Sequence, residues 1–147
     1  MKKSSFLLIV VIFTLFLLSS CSIKNVSQDE YLELLYKYHV LEEKENACID
    51  LRDLHSSYSA GHIKGFVNYN YNNGSKEEFL IYVSSMYSKD VYIFLIDEDG
   101  SIINEAAQVL KNAGYKHIIV YEEGYKTLEE KAKESFHIIE GIDDCGC

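Results

Sequence analysis

The chain has no proline, a single arginine, and 14 basic residues against 23 acidic ones. Without proline there is no proline-rich spacer, and no other stretch has the low complexity of a long flexible linker. The shortage of basic residues leaves a net charge of −9. That field repels phosphate backbones and argues against a nucleic-acid partner. The one arginine is Arg52, so any chemistry that needs an arginine elsewhere is closed. Long apolar runs are also missing. The longest, Phe6 to Leu18, holds 13 residues. As a helix it would reach about 20 Å, short of the roughly 30 Å hydrocarbon core of a bilayer. Hydrophobic residues at 48% and charged residues at 25% are ordinary for a folded chain and exclude disorder.

The apolar run follows Lys2 and Lys3 and leads into Leu18-Ser19-Ser20-Cys21. A basic start, a short apolar stretch and small residues before a cysteine have the form of a secretory signal. The last four residues resemble the bacterial lipobox, which implies cleavage before Cys21 and acylation of that cysteine, with palmitate among its chains. Multiple acyl chains hold stably where one does not. Residues 1–20 are therefore expected to be a lipoprotein signal peptide. The partner of acylated Cys21 is the lipid bilayer, and the protein is expected at the cell membrane, facing outside the cytoplasm. Removal of residues 1–20 leaves 127 residues at a net charge of −11, since Lys2 and Lys3 go with them. One domain with a true core fits that length. Residues 21–29 read as the lipidated cysteine and a polar tether, 30–140 as the domain, and 141–147 as an acidic tail with cysteines.

Within the domain, Asp29 is placed to cap a helix with Leu32, Leu35, Tyr36 and Val40 as its apolar positions. Ala47 to Leu51 reads as a buried strand and Phe66 to Tyr69 as a second, followed by a turn at Asn72-Asn73-Gly74. Ser75 caps a helix with Phe79, Leu80 and Val83 on one side. Val91 to Ile96 is apolar throughout, as a strand covered on both faces should be. Ser101 is the expected cap of the next helix, which carries Ala106, Ala107, Val109 and Leu110 and stops at Gly114. His117 to Tyr121 is a further strand, Leu128 to Glu134 a last helix, and Phe136 to Ile139 a last strand. Strands alternating with helices predict an α/β domain with a largely parallel sheet.

Two stretches carry more information than the periodicity does. The first is Ile49-Asp50-Leu51-Arg52, then Tyr58, Gly61-His62-Ile63-Lys64-Gly65 and Asn68. The second is the strand Val91 to Ile96, a six-position loop, and Glu105 to Tyr115, which ends in Ala113-Gly114-Tyr115, with Gly124 further on. Together they resemble the rhodanese family over about residues 30–140. The resemblance implies a five-stranded, mainly parallel sheet flanked by helices on both faces, with an active loop between a strand and a helix. Members active as sulfurtransferases begin that loop with a cysteine that takes up sulfur as a persulfide. Aligned back from Ala106-Ala107, the cysteine position falls on Asp97.

The loop reads Asp97-Glu98-Asp99-Gly100-Ser101-Ile102, and no residue from 90 to 104 is a cysteine or an arginine. A carboxylate cannot form a persulfide, and three acidic side chains repel a dianion such as thiosulfate. The related dual-specificity phosphatases are excluded for the same reason, since they need both cysteine and arginine. Asp97 is expected instead to place its carboxylate in the anion cradle, held by loop amides and the helix start. Calcium at Asp97, Glu98 and Asp99 is the alternative. It is the weaker one, because consecutive side chains diverge, and a solvated loop is favoured over it. Asp50 and Arg52 read as a structural pair, and Gly61, His62 and Gly65 as a tight turn with His62 bonded to backbone. Tyr69, Tyr71 and Asn72 read as a surface loop. No cofactor or metal is expected.

Three cysteines remain besides Cys21. Cys48 falls inside the first strand and reads as an inert core thiol. Cys145 and Cys147 end the chain, too few for a closed zinc site but able to form a disulfide, pair with another chain or serve as a small redox or sulfur-accepting tail; a tail of no consequence is favoured over these. Two functions follow. In one, the domain is a binding or structural module with no catalytic residue. In the other, it is a thiol or persulfide-exchange enzyme working through Cys145 and Cys147.

Overall fold

The computed structural model describes residues 22–41 and 45–142. Cys21 and the signal segment, and Cys145 and Cys147 with the end of the tail, lie outside those residues. The elements in chain order are β1 (Ser22–Asn25), α1 (Gln28–Leu35), β2 (Asn46–Asp50), β3 (His62–Ile63) and β4 (Val67–Asn68). Then come α2 (Lys76–Met86), β5 (Tyr92–Ile96), α3 (Ile103–Asn112), β6 (His117–Val120), α4 (Tyr125–Ala132) and β7 (Ile138–Ile139). Single wide turns lie at Tyr36–Leu41 and Leu54–Tyr58, with a tighter one at Tyr71–Asn73.

Five strands form one sheet in the order β1-β6-β5-β2-β4, every pair parallel. β5 is central and β2 beside it, and both are buried along nearly their whole length, as two-sided coverage demands. On one face Ile49, Phe79, Val83, Leu95, Ala106 and Leu110 pack beneath α2 and α3. On the other, Tyr31, Leu35, Phe94, Tyr121 and Leu128 pack beneath α1 and α4. The expected α/β fold with helices on both faces is therefore the observed one. α2 is capped by Ser75 as expected, its hydroxyl accepting from the Glu78 amide at 3.1 Å, and the Glu78 carboxylate in turn accepts from the Ser75 amide at 2.8 Å.

The stretch read as a tether is in part structured. Ser22–Asn25 is the edge strand β1, in register with His117–Val120. Only Ile23 turns toward the core, so four residues of mainly polar edge strand show no alternation to read. The cap of α1 is Ser27, not Asp29: its hydroxyl accepts from the Glu30 amide at 3.3 Å, and Asp29 falls in the first turn. Because α1 ends at Leu35, Tyr36 and Val40 leave its buried face and are 42% and 46% exposed. Phe136 to Ile139 contributes only β7, which pairs antiparallel with β3 in a separate two-stranded sheet. Tyr71 is buried, not on the surface, and its hydroxyl donates to Glu105 at 3.2 Å.

Asp53 caps the turn at Leu54–Tyr58, accepting from the amides of His55 and Ser56, the Ser56 hydroxyl and Asn70. Those donors hold its carboxyl down at about 2. A carboxyl lowered on folding contributes stability above its ordinary value of 3.8 and loses it as pH falls through the folded value. The melting-temperature gap between wild type and Asp53→Ala should therefore close on acidification from pH 3.8 toward 2. A gap independent of pH over that window counts against this cap.

Candidate functional site

All five strands of the main sheet point the same way, so their C-terminal ends form one edge, where a cleft in such a fold belongs. β5 delivers Asp97 to the middle of that edge, and the loop 97–102 runs from it into α3. The Asp97 side chain is 1% exposed, so the solvated-loop reading fails for this residue, while Asp99 is exposed and Glu98 half-buried. Its Oδ1 accepts from the Gly100 amide at 2.7 Å, and its Oδ2 accepts from Ile102 at 2.9 Å and Ile103 at 3.1 Å. Ile103 opens α3, so Asp97 supplies the oxygen that the expected cap Ser101 does not. Ser101 instead donates its amide to Asp99 at 3.0 Å. Burial pushes the Asp97 carboxyl up and the three amides pull it back, with a net upward direction.

The loop lies flat against the turn after β6, and two glycines allow it. A side chain on Gly100, at φ +83°, would meet the Glu122 carbonyl oxygen at 1.7 Å. One on Gly124, at φ +78°, would meet the Glu98 carbonyl oxygen at 2.3 Å. The Asp97 carbonyl accepts from the Tyr125 amide at 2.8 Å, which joins the loop to the start of α4.

Asp50 and Arg52 stand beside this loop at the end of β2, and their arrangement is closed. Arg52 Nη2 donates to Asp50 Oδ2 at 2.7 Å, and Nε donates to both carboxylate oxygens at 3.0 and 3.1 Å. Nη2 also donates to the Gly61 carbonyl at 2.8 Å, and Nη1 to the Ser57 carbonyl at 3.4 Å. The Arg52 guanidinium also sits 3.6 Å from the centre of the Tyr125 ring. Asn68 donates to the Asp50 and Arg52 carbonyls at 3.2 and 2.8 Å. His62 Nδ1 lies 3.1 Å from the Tyr58 carbonyl, with its ring stacked on Tyr58 at 3.7 Å. Gly65, at φ +92°, turns the chain where His39 leaves no room for a side chain. Asp50, Arg52, Gly61, His62 and Gly65 hold the turn around the site.

A cavity of about 160 Å³ opens next to the loop, lined by Arg52, Ser57, Gly61, Glu98, Tyr125 and Glu129. Tyr125 and Glu129 escaped the sequence reading, although Tyr125 directly follows the glycine that the second motif singles out. The buried Tyr125 hydroxyl is pushed up to about 12 and stays neutral. Glu98 pairs with Lys126 at 3.1 Å across the cavity mouth. The wall thus offers the carboxylates of Glu98 and Glu129 and a phenol, and its two cations, Arg52 and Lys126, are already paired with Asp50 and Glu98.

Cys48 sits 3% exposed in β2, 3.4 Å from Asn46 Oδ1 and 3.8 Å from His39 Nδ1, and burial pushes its thiol well up. A thiol in that state is a poor nucleophile, in line with an inert core residue. Among the described residues no three His, Cys, Asp or Glu side chains gather as a metal site. Among them, too, no helix is long and apolar enough to cross a membrane.

A family model described as the rhodanese-like domain matches residues 27–131. Among solved structures, a crystal structure of the Alr3790 protein from Anabaena sp. is 25% identical, with a TM-score of 0.58 over 77% of this chain and 80% of that one. The solution structure of the rhodanese-like domain of the same protein is 20% identical, with a TM-score of 0.56 over 78% of this chain and 80% of that one. A search among curated proteins returned no match. The parallel five-stranded sheet, the loop at its C-terminal edge and a family match over most of the chain lead to one statement: this protein belongs to the rhodanese-like domain family.

Proposed function

We propose that this protein is a membrane-anchored lipoprotein whose rhodanese-like domain performs no sulfur transfer through its loop and works as a binding or structural module. The observation that carries this reading is the Asp97 carboxylate with its three amide donors. By the alignment from Ala106-Ala107, Asp97 stands where sulfurtransferases of the family keep their cysteine. The amides that would cradle a bound anionic sulfur are spent on a side-chain oxygen of the protein itself. Arg52, the only arginine, is buried and paired with Asp50, which offsets its charge. Anchoring is supported by the lipobox resemblance at Leu18 to Cys21 and places the domain outside the cytoplasm.

The deciding measurement is the intact mass of the chain from residue 22 onward, reduced and then exposed to thiosulfate. The expected result is an unchanged mass. Gain of a sulfur atom mapped to Cys145 or Cys147 would overturn the module reading and make the terminal pair a working site on this fold.

A further inference from the structure

β1 places the anchor with respect to the sheet. If Cys21 carries the acyl chains, as the lipoprotein reading holds, the next residue is already Ser22, paired with His117 at the start of both strands. One peptide unit, about 3.8 Å between Cα atoms, then separates the lipidated residue from the sheet. No tether is left to lift the domain away. The point of attachment is the N-terminal end of an edge strand, and all five strands share that polarity.

The composition of that edge fits a lipid surface. Tyr92, which opens β5, stacks on Tyr38 at 4.0 Å and on His117 at 4.6 Å, forming a ladder of three rings next to Ser22. A groove of about 230 Å³ runs along it between Ser22, Lys24, Leu34 and Ile119. Leu41, on the approach to β2, is 63% exposed, and Met86, at the end of α2, is 48% exposed. Lys37, Lys89 and Lys116 lie on the same side, close to the starts of β2, β5 and β6. Amphipathic rings, exposed apolar side chains and lysines are the residues that settle at a bilayer surface. Among the described residues the acids beside the strand starts are Glu45 and Asp90, the latter paired with Lys116, and in the chain Glu42 and Glu43 stand between Leu41 and Glu45. At the opposite edge Asp53, Asp97, Glu98, Asp99, Glu122 and Glu123 cluster around the loop and its flanking turn. The molecule is negative overall, yet its charge is polarised along the strands. Near the strand starts lysines and acids roughly balance, so an anionic leaflet repels the loop end far more than the anchor end.

We propose that the N-terminal edge of the sheet, with Tyr38, Leu41, Met86 and Tyr92, rests on the membrane surface beside acylated Cys21. The loop Asp97–Ile102 and its cavity then face away from the bilayer. The five residues of β5 alone put about 16 Å between the two edges, at about 3.3 Å per residue. A partner would reach the loop from the aqueous side.

The chain contains no tryptophan, so a single introduced indole reports its own position. Leu41→Trp and Met86→Trp place it at the membrane edge, and Glu122→Trp at the far edge. Each full-length protein is taken from bacterial membranes and reconstituted into vesicles of phosphatidylcholine and phosphatidylglycerol with brominated acyl chains, and the mass of the Cys21 peptide is measured in parallel. Quenched, blue-shifted emission from Leu41→Trp and Met86→Trp, with unquenched emission from Glu122→Trp, is the expected result. Acylated, vesicle-bound protein in which both membrane-edge indoles stay unquenched overturns the orientation alone. A Cys21 peptide without acyl mass overturns the lipoprotein reading, and the orientation with it.

Discussion

Replacing Asp97 by alanine is expected to cost the domain about 3 kcal/mol of stability, a fall in melting temperature of roughly 10 °C. The variant leaves the amides of Gly100, Ile102 and Ile103 without an acceptor in a nearly sealed site. Each buried donor deprived of its partner costs about 1–3 kcal/mol. The full sum is not expected, because burial of the carboxylate is itself unfavourable, as its upward shift indicates. Asp97→Asn keeps one acceptor oxygen and turns an amide toward the remaining donors, so its loss should be intermediate. Thermal melts of the three proteins at neutral pH decide the matter. Equal melting temperatures would mean that the loop holds its shape without the carboxylate, and the module reading would lose its main support.

The second large effect is expected at Arg52. Arg52→Ala strips a buried carboxylate of its partner and should cost about 3–5 kcal/mol, the range for breaking a buried pair from one side. The loss includes two carbonyls, of Gly61 and Ser57, and the packing on Tyr125. Arg52→Lys should recover little, since an ammonium cannot meet both oxygens of Asp50 and two carbonyls from one plane. Chemical denaturation of Arg52→Ala and of the double variant Asp50→Asn with Arg52→Ala tests the coupling. The double variant should be more stable than the two single losses added together, because it removes the orphaned charge. Additive losses, or less than about 1 kcal/mol for Arg52→Ala, would show that the pair is not a unit.

How far these features were visible in advance depended on their range along the chain. The pairing of Asp50 with Arg52 spans two residues, and the cap that Ser75 gives its helix spans three, so both were legible. The apolar runs of β2, β5 and β6 announced a buried parallel sheet because strands covered on both faces have no polar side to keep. Asp97 was readable as a cradled carboxylate only through the family resemblance, since an isolated Asp-Glu-Asp reads equally well as a solvated loop. β1 was missed because four edge residues with one inward apolar side chain carry no period. Ser101 was the wrong cap because a residue six positions before Ile103 reaches the same amides through a folded loop.

What the sequence by itself determined is a covalent fact: no cysteine lies between residues 90 and 104, and the one arginine is Arg52. No residue of that loop can itself carry a persulfide or a guanidinium. What only the tertiary structure decided is where the resulting groups go. The Arg52 charge is turned inward by Gly61, Ser57 and the Tyr125 ring. Tyr125 is 73 positions away in the chain. The residues after Cys21 become a strand because β6 offers an open row of backbone donors and acceptors beside them. Such contacts join distant segments and follow from how the sheet packs, and local patterning carries no record of them.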